Sequence, residues 1–171
     1  MKNYLCRPRR EDKKTKILVL ALAVLAFILF FLSIRFPVIK ALLQLFSAVL
    51  LLIVVQLTTR FLLTDYRYEL EDGCLLLSSR QGRREKNLGG IPITAETKLF
   101  EQAAWKANRS NYKIAATFSY CQNLTPPNPV YLLSPEERGF VLLTFEPDET
   151  LLRLLEEEIK SQQGVSDETN N

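Results

Sequence analysis

Two long runs without a charge, separated by a short break, constrain this chain more than anything else in it. Residues 17–34 (ILVLALAVLAFILFFLSI) hold Ser33 as their one polar side chain. At 1.5 Å per residue such a helix is about 27 Å long, close to the hydrocarbon thickness of a bilayer. The basic segment before it is also what a signal peptide carries. However, the run exceeds a normal signal core, and no small-x-small cleavage motif precedes Arg35-Phe36-Pro37. The second charge-free run, from Ala41 to Thr59, underlies a second helical segment over residues 38–57 (VIKALLQLFSAVLLLIVVQL). Lys40 stands near its start, where it can snorkel to an interface, and Gln44, Ser47 and Gln56 are polar groups that mark helix–helix contacts within lipid. Pro37 ends one helix and starts the next. Both runs are apolar all round, whereas a soluble helical hairpin needs a polar stripe. The reading is a transmembrane hairpin over residues 17–60.

Charge orients it. Residues 1–16 carry seven basic side chains and two acidic ones, while the connecting turn offers Arg35 and Lys40. By the positive-inside rule the basic N-terminal segment and everything after residue 57 face the cytoplasm, giving a two-span protein of the cell membrane with both termini inside. A reducing compartment also suits three cysteines (Cys6, Cys74, Cys121) with no CxxC spacing. Asn108-Arg109-Ser110 and Asn123-Leu124-Thr125 match the glycosylation pattern by chance on this reading. Cys6, juxtamembrane and beside basic residues, is a weak palmitoylation signal.

Past Arg60 the period changes from helical to alternating. Tyr66, Tyr68 and Leu70 face one way, and Arg67, Glu69 and Glu71 the other. Asp72-Gly73 is a type I′ hairpin turn. Strands follow over 74–78, 83–88, 98–102, 112–121, 130–133 and 139–145, with a loop through Thr125-Pro126-Pro127-Asn128-Pro129. A helix then opens at Pro147 with Asp148 and Glu149 in its first turn. Leu151, Leu152, Leu154, Leu155 and Ile159 form its apolar stripe, and residues 161–171 read as a polar, disordered tail.

About seven short strands and a closing amphipathic helix resemble the pleckstrin-homology (PH) architecture, in which two nearly orthogonal sheets are capped by a C-terminal helix. Paired spans leading into TDYRYELEDGCLLLSSRQGRREKNLGGIPI, with TFEPDETLLRLLEEEI at the close, resemble bacterial membrane-anchored PH-like proteins. The resemblance runs over residues 17–160 and rests on turns and core positions. It implies a membrane α-helical hairpin plus a mainly-β PH-like domain over 64–160, and carries no catalytic residue with it. The tight Asp72-Gly73 turn departs from phosphoinositide-binding PH domains, which place a longer basic loop there.

Candidate contacts are few. Arg80, Arg83, Arg84 and Lys86 crowd one hairpin, placed either to touch lipid headgroups or partners, or as a solvated face with Glu85 as a local partner. Trp105 reads as an interaction or interfacial anchor, or as a loop tryptophan folded over the core. There is no histidine, so Cys74 and Cys121 lack an activating base. Glu156, Glu157 and Glu158 lie on the outer side of a helix, and Gly89-Gly90 is too little for a phosphate cradle. No catalytic, metal or cofactor site is expected. Residues 64–171 are acidic overall, which argues against nucleic acid, and no small-molecule ligand is implied. The expected partners are the bilayer and a membrane protein or a second copy. The expected role is a non-enzymatic binding or scaffolding module. The alternative is an accessory subunit of a transport or export complex acting through the hairpin.

Overall fold

The computed structural model describes residues 4–10 and 12–169. The chain divides into two compact units, Arg10–Thr64 and a second made from Met1–Arg9 with Asp65–Asn171.

The first unit is a helical hairpin. Helix α1 spans Asp12–Arg35 and α2 spans Lys40–Leu57, joined by a 3-10 turn at Pro37–Ile39; α2 runs on into a π-helical stretch, Thr58–Leu63. Both helices are long and apolar enough to cross a membrane. Their seam is defined by shielding and side-chain size, since hydrophobicity does not vary around either helix. In α1 the covered line runs through Thr15, Val19, Leu22, Ala26, Leu29 and Ser33, with Ala23 part-covered beside it; in α2 it runs through Leu43, Ser47, Leu50, Val54, Leu57 and, past its end among other part-covered residues, Phe61. Both series step by four and three residues, the 3.5-residue period of a left-handed pair. Ser47 is buried where the helices meet and its Oγ donates to the Ala26 carbonyl at 2.9 Å. Ser47→Leu is expected to overpack this seam by about 1–3 kcal/mol and drive the helices apart. Ser47→Ala should change stability by only about 0.6 kcal/mol, the usual worth of such a bond in lipid. Spin-label distances between α1 and α2 in micelles check both. At the open end, the Arg10 guanidinium donates to the carbonyls of Leu62 and Thr64, both at 2.8 Å, and so satisfies carbonyls that a helix end leaves bare.

Among the described residues the second unit has eight strands in two four-stranded sheets. The first sheet has the order β1 (Tyr4–Cys6), β2 (Thr64–Glu71), β3 (Cys74–Gln81), β4 (Arg84–Pro92). Strand β1 runs antiparallel to β2, with Tyr4 opposite Leu70 and Cys6 opposite Tyr68. The helical hairpin is therefore inserted between two neighbouring strands of one sheet. The second sheet contains β5 (Lys98–Glu101), β6 (Ile114–Ser119), β7 (Val130–Glu136) and β8 (Gly139–Phe145), in the order β5-β7-β8-β6. Here β6 lies parallel to β8, while β5–β7 and β7–β8 are antiparallel. Helix α3 (Gln102–Asn108) follows β5, and α4 (Glu149–Thr169) closes the chain. The main core joins both sheets and α4 through Tyr68, Leu75, Leu132, Phe145, Leu151 and Leu155.

Asp72 and Gly73 have φ of 46° and 71°, the two positive values that a type I′ turn requires. Gly73→Val is expected to lower stability by about 1–3 kcal/mol, since a β-branched residue is strained there. A thermal midpoint of the full-length protein unchanged from the parent would count against that turn's role. Gly139 is fixed by a different contact: a Cβ there would stand 2.5 Å from the Lys113 carbonyl oxygen, where β6 begins beside the β7–β8 turn.

Several boundaries differ from the sequence reading. The segment before α1, read as a basic N-terminal segment without secondary structure assigned to it, supplies β1 and is tied into the sheet. A sheet of four and another of four replace the expected seven strands. Strand β4, expected over 83–88, runs on to Pro92. The tail read as disordered from 161 is helical to Thr169, because α4 continues past Lys160. The final two residues, Asn170 and Asn171, lie outside the described residues.

Candidate functional site

Sheet order decides where this domain has open backbone. Strand β4 ends the first sheet and β6 ends the second, so each bonds to a neighbour on one side only. Between them lies a groove of about 330 Å³ whose apolar lining includes Leu77, Leu88, Ile91, Phe118, Tyr120 and Val141. Its floor follows from local sequence. The β3–β4 register slips between Leu77 and Ser78, leaving Leu88 as an extra residue on β4, a bulge that bends the strand. Gly89, which shares the groove-facing side of β4 with Ile91, contributes no side chain to fill the space. At Gly90 a Cβ would come within 2.9 Å of Cys74 Sγ and Leu76 Cδ2 on the opposite face, so those side chains would have to shift to admit one. Phe118 is 44% exposed in the groove and stacks on Tyr120, ring centroids 6.2 Å apart at 9°. Tyr120 in turn meets Tyr66 at 5.8 Å.

The basic hairpin does not act as one cluster. All of Arg80, Arg83, Arg84 and Lys86 are exposed. Paired residues share a face of a sheet, and β3 alternates with Leu75 and Leu77 buried. The partners Ser79↔Lys86 and Gln81↔Arg84 therefore lie on the same face as Leu77 and Ile91, the face that borders the groove. Arg80 and its partner Glu85 lie on the other face. Arg80 Nε donates to the Gly82 carbonyl at 3.0 Å, and Glu85 pairs with Arg67 at 3.1 Å. Glu85 thus answers a cation from β2, and within its own hairpin it accepts from the Ser78 hydroxyl at 3.5 Å.

Trp105 is neither exposed nor in a loop. It sits on α3, is 5% exposed, and stacks on Tyr131 with centroids 5.7 Å apart at 20°. With Leu133 and Leu142 it makes a second, smaller core. An exposed anchor role is thereby corrected, and folding over the core is the arrangement found. Of the hairpin residues, Ser47 is buried in the seam, whereas Gln44 and Gln56 are exposed on the outer surface of α2. Cys6 is 1% exposed and its Sγ accepts a hydrogen bond from the Asp148 N–H at 3.4 Å. Burial pushes its thiol up to about 11, so it stays protonated and enclosed, unlike a cysteine presented for acylation.

The polar feature that sequence reasoning missed is Glu146, 8% exposed at the end of β8. Its Oε2 accepts from the backbone N–H groups of Gln122 (2.6 Å) and Asn123 (3.1 Å), and its Oε1 from Asn123 Nδ2 (3.0 Å). Asn123 Nδ2 also reaches the Arg9 carbonyl at 2.9 Å, and Tyr68 donates its hydroxyl to the Tyr120 carbonyl at 2.6 Å. One buried carboxylate thus holds the segment after β6 against the end of β8, while the Tyr68 hydroxyl ties it to the first sheet. That segment delivers Tyr120 to the groove.

In comparisons with known proteins, no family model, curated protein or solved structure matches the chain.

Proposed function

We propose that this protein is a non-enzymatic, membrane-anchored binding module of the bacterial PH-like kind. Its two-helix hairpin holds the β-domain at the cytoplasmic face, and the domain binds a segment of a membrane-protein partner or of a second copy. The observation that carries this reading is the groove between β4 and β6: two edges with no pairing strand on their outer sides flank an apolar trough containing a half-exposed phenylalanine. Such edges are templates for strand addition, and an apolar trough beside them supplies side-chain selectivity. The same-side arrangement is supported by β1, which must share a compartment with β2 to pair with it. The excess of basic residues ahead of α1 favours the cytoplasm for that side. Reporter fusions at either terminus of the full chain are accordingly expected to read as cytoplasmic, and an external reading at either end would overturn the topology.

Co-purification of the full-length protein from native membranes tests the reading. Phe118→Asp places a charge in the groove and should abolish recovery of the partner while leaving the thermal midpoint unchanged. The alternative, an accessory subunit of a transport or export complex acting through the hairpin, is favoured by Gln44 and Gln56, whose amides point outward from a helix long enough to lie in lipid. Under that reading Gln44→Ala with Gln56→Ala removes the partner and Phe118→Asp does not.

A further inference from the structure

We infer that the occupant of the groove is an extended protein segment that adds to the free edge of β4, with apolar groove-facing residues at one end and acidic ones at the other. This rests on the binding-module reading above and specifies its partner. Strand β4 is nine residues long and no strand pairs with its outer side; two side chains meet its backbone, Ser134 Oγ donating to the Pro92 carbonyl at 3.2 Å and Asn87 Oδ1 accepting from the Gly89 N–H at 2.9 Å. Its groove-facing side chains change character along the strand. Leu88 and Ile91 line the apolar trough, whereas Lys86 and Arg84 continue the same sheet face beyond the bulge as exposed cations. Glu85, the acidic residue between them, lies on the opposite face and is engaged by Arg67. Glu136 borders the trough from β7, not the cationic stretch of β4. A segment alternating in and out beside β4 therefore meets a trough at one end and two cations at the other. Carboxylates beside Lys86 and Arg84 fix its register, because a two-residue slip moves a charge into the trough. Long exposed edges normally carry charge to deter pairing. Here the charge covers only half the edge, and the other half is backed by an apolar surface.

The test uses the full-length protein in nanodiscs of zwitterionic lipid and a fluorescent nonapeptide, Thr-Val-Thr-Val-Thr-Asp-Thr-Asp-Thr, read by anisotropy. Its sequence suits antiparallel addition, and the reversed order tests the parallel one. At least one direction should bind tenfold or more tighter than its counterpart with Lys in place of Asp. Arg84→Glu combined with Lys86→Glu, both exposed positions, should invert that preference. Methylating the backbone nitrogens on the β4-facing edge of the peptide should abolish binding. Equal binding of the acidic and lysine peptides overturns the proposed chemistry, and undiminished binding of the methylated peptide overturns strand addition. If no peptide binds while Phe118→Asp still abolishes partner recovery from native membranes, the occupant is wrong and the binding-module reading stands. If no peptide binds and Phe118→Asp has no effect there, both fall.

Discussion

Replacing Glu146 by alanine is expected to release the segment 120–123 and to destabilise the β-domain by about 2–5 kcal/mol. The substitution removes the acceptor of two buried backbone N–H groups, and each such group left in a dry site costs about 1–3 kcal/mol. The anchor of the Asn123 amide is lost with it. Hydrogen exchange on the full-length protein reads this directly: at about 1.4 kcal/mol per tenfold, protection at Gln122 and Asn123 should fall by roughly thirtyfold or more. Glu146→Gln keeps one acceptor oxygen and should recover part of the loss. Retained protection in the alanine variant would mean that the carboxylate is incidental to the fold. Because Tyr120 closes one side of the groove, the same variant should also weaken partner recovery.

Truncation after Glu146 should have the larger effect. It removes Leu151, Leu155 and Ile159, all buried in the main core beside Tyr68 and Phe145, along with the partly buried Leu152 and Leu154. A fully buried leucine or isoleucine contributes about 1.5–3 kcal/mol, so three of them approach or exceed the margin of about 5–15 kcal/mol on which a small domain stands. The truncated chain is expected to lose exchange protection across β2, β3, β7 and β8 and to aggregate. Strands that keep their protection would identify α4 as a detachable element. The truncation also removes Asp148, whose backbone N–H meets Cys6 and whose carboxylate accepts from the Tyr4 hydroxyl and caps the Leu151 N–H. Loosening of β1 should accompany it.

What could be read in advance was whatever depends on neighbours in sequence. The two spans are visible as unbroken apolar runs, the turn at Asp72-Gly73 as a dipeptide, and the buried face of α4 as a stripe through Leu151, Leu155 and Ile159. Strand β1 was not visible, because three residues are too few to show a period and its partner lies beyond the hairpin. The tail beyond residue 161 looked polar, and polarity there marks the outer turns of a continuing helix. Glu146 resembled one more acid ahead of a helix, and Gln122 and Asn123 resembled a loop. Their shared purpose exists only once β8 and the segment after β6 are side by side. The groove is the extreme case. Which strands end their sheets depends on a parallel β6–β8 pairing that no local pattern announces, so Phe118 read as one more member of an alternating strand. The cations of the hairpin were found, but their division between two faces needed the β3–β4 register.

The insertion of α1 and α2 between β1 and β2 makes assembly of the first sheet a report on the hairpin. Roughly sixty residues separate Cys6 from Tyr68, and closing a flexible loop of that length costs about 3–4 kcal/mol beyond the constant term. A strand of three residues has few hydrogen bonds with which to offset that. Once α1 and α2 are zipped together and Arg10 has bound the carbonyls of Leu62 and Thr64, the long loop shrinks in effect to the few residues at either end. On the proposed topology the first sheet would reach its full width only in chains that have made both crossings. A chain halted after one crossing would leave β1 across the bilayer from β2, with the β2 edge at Tyr68 and Leu70 uncovered.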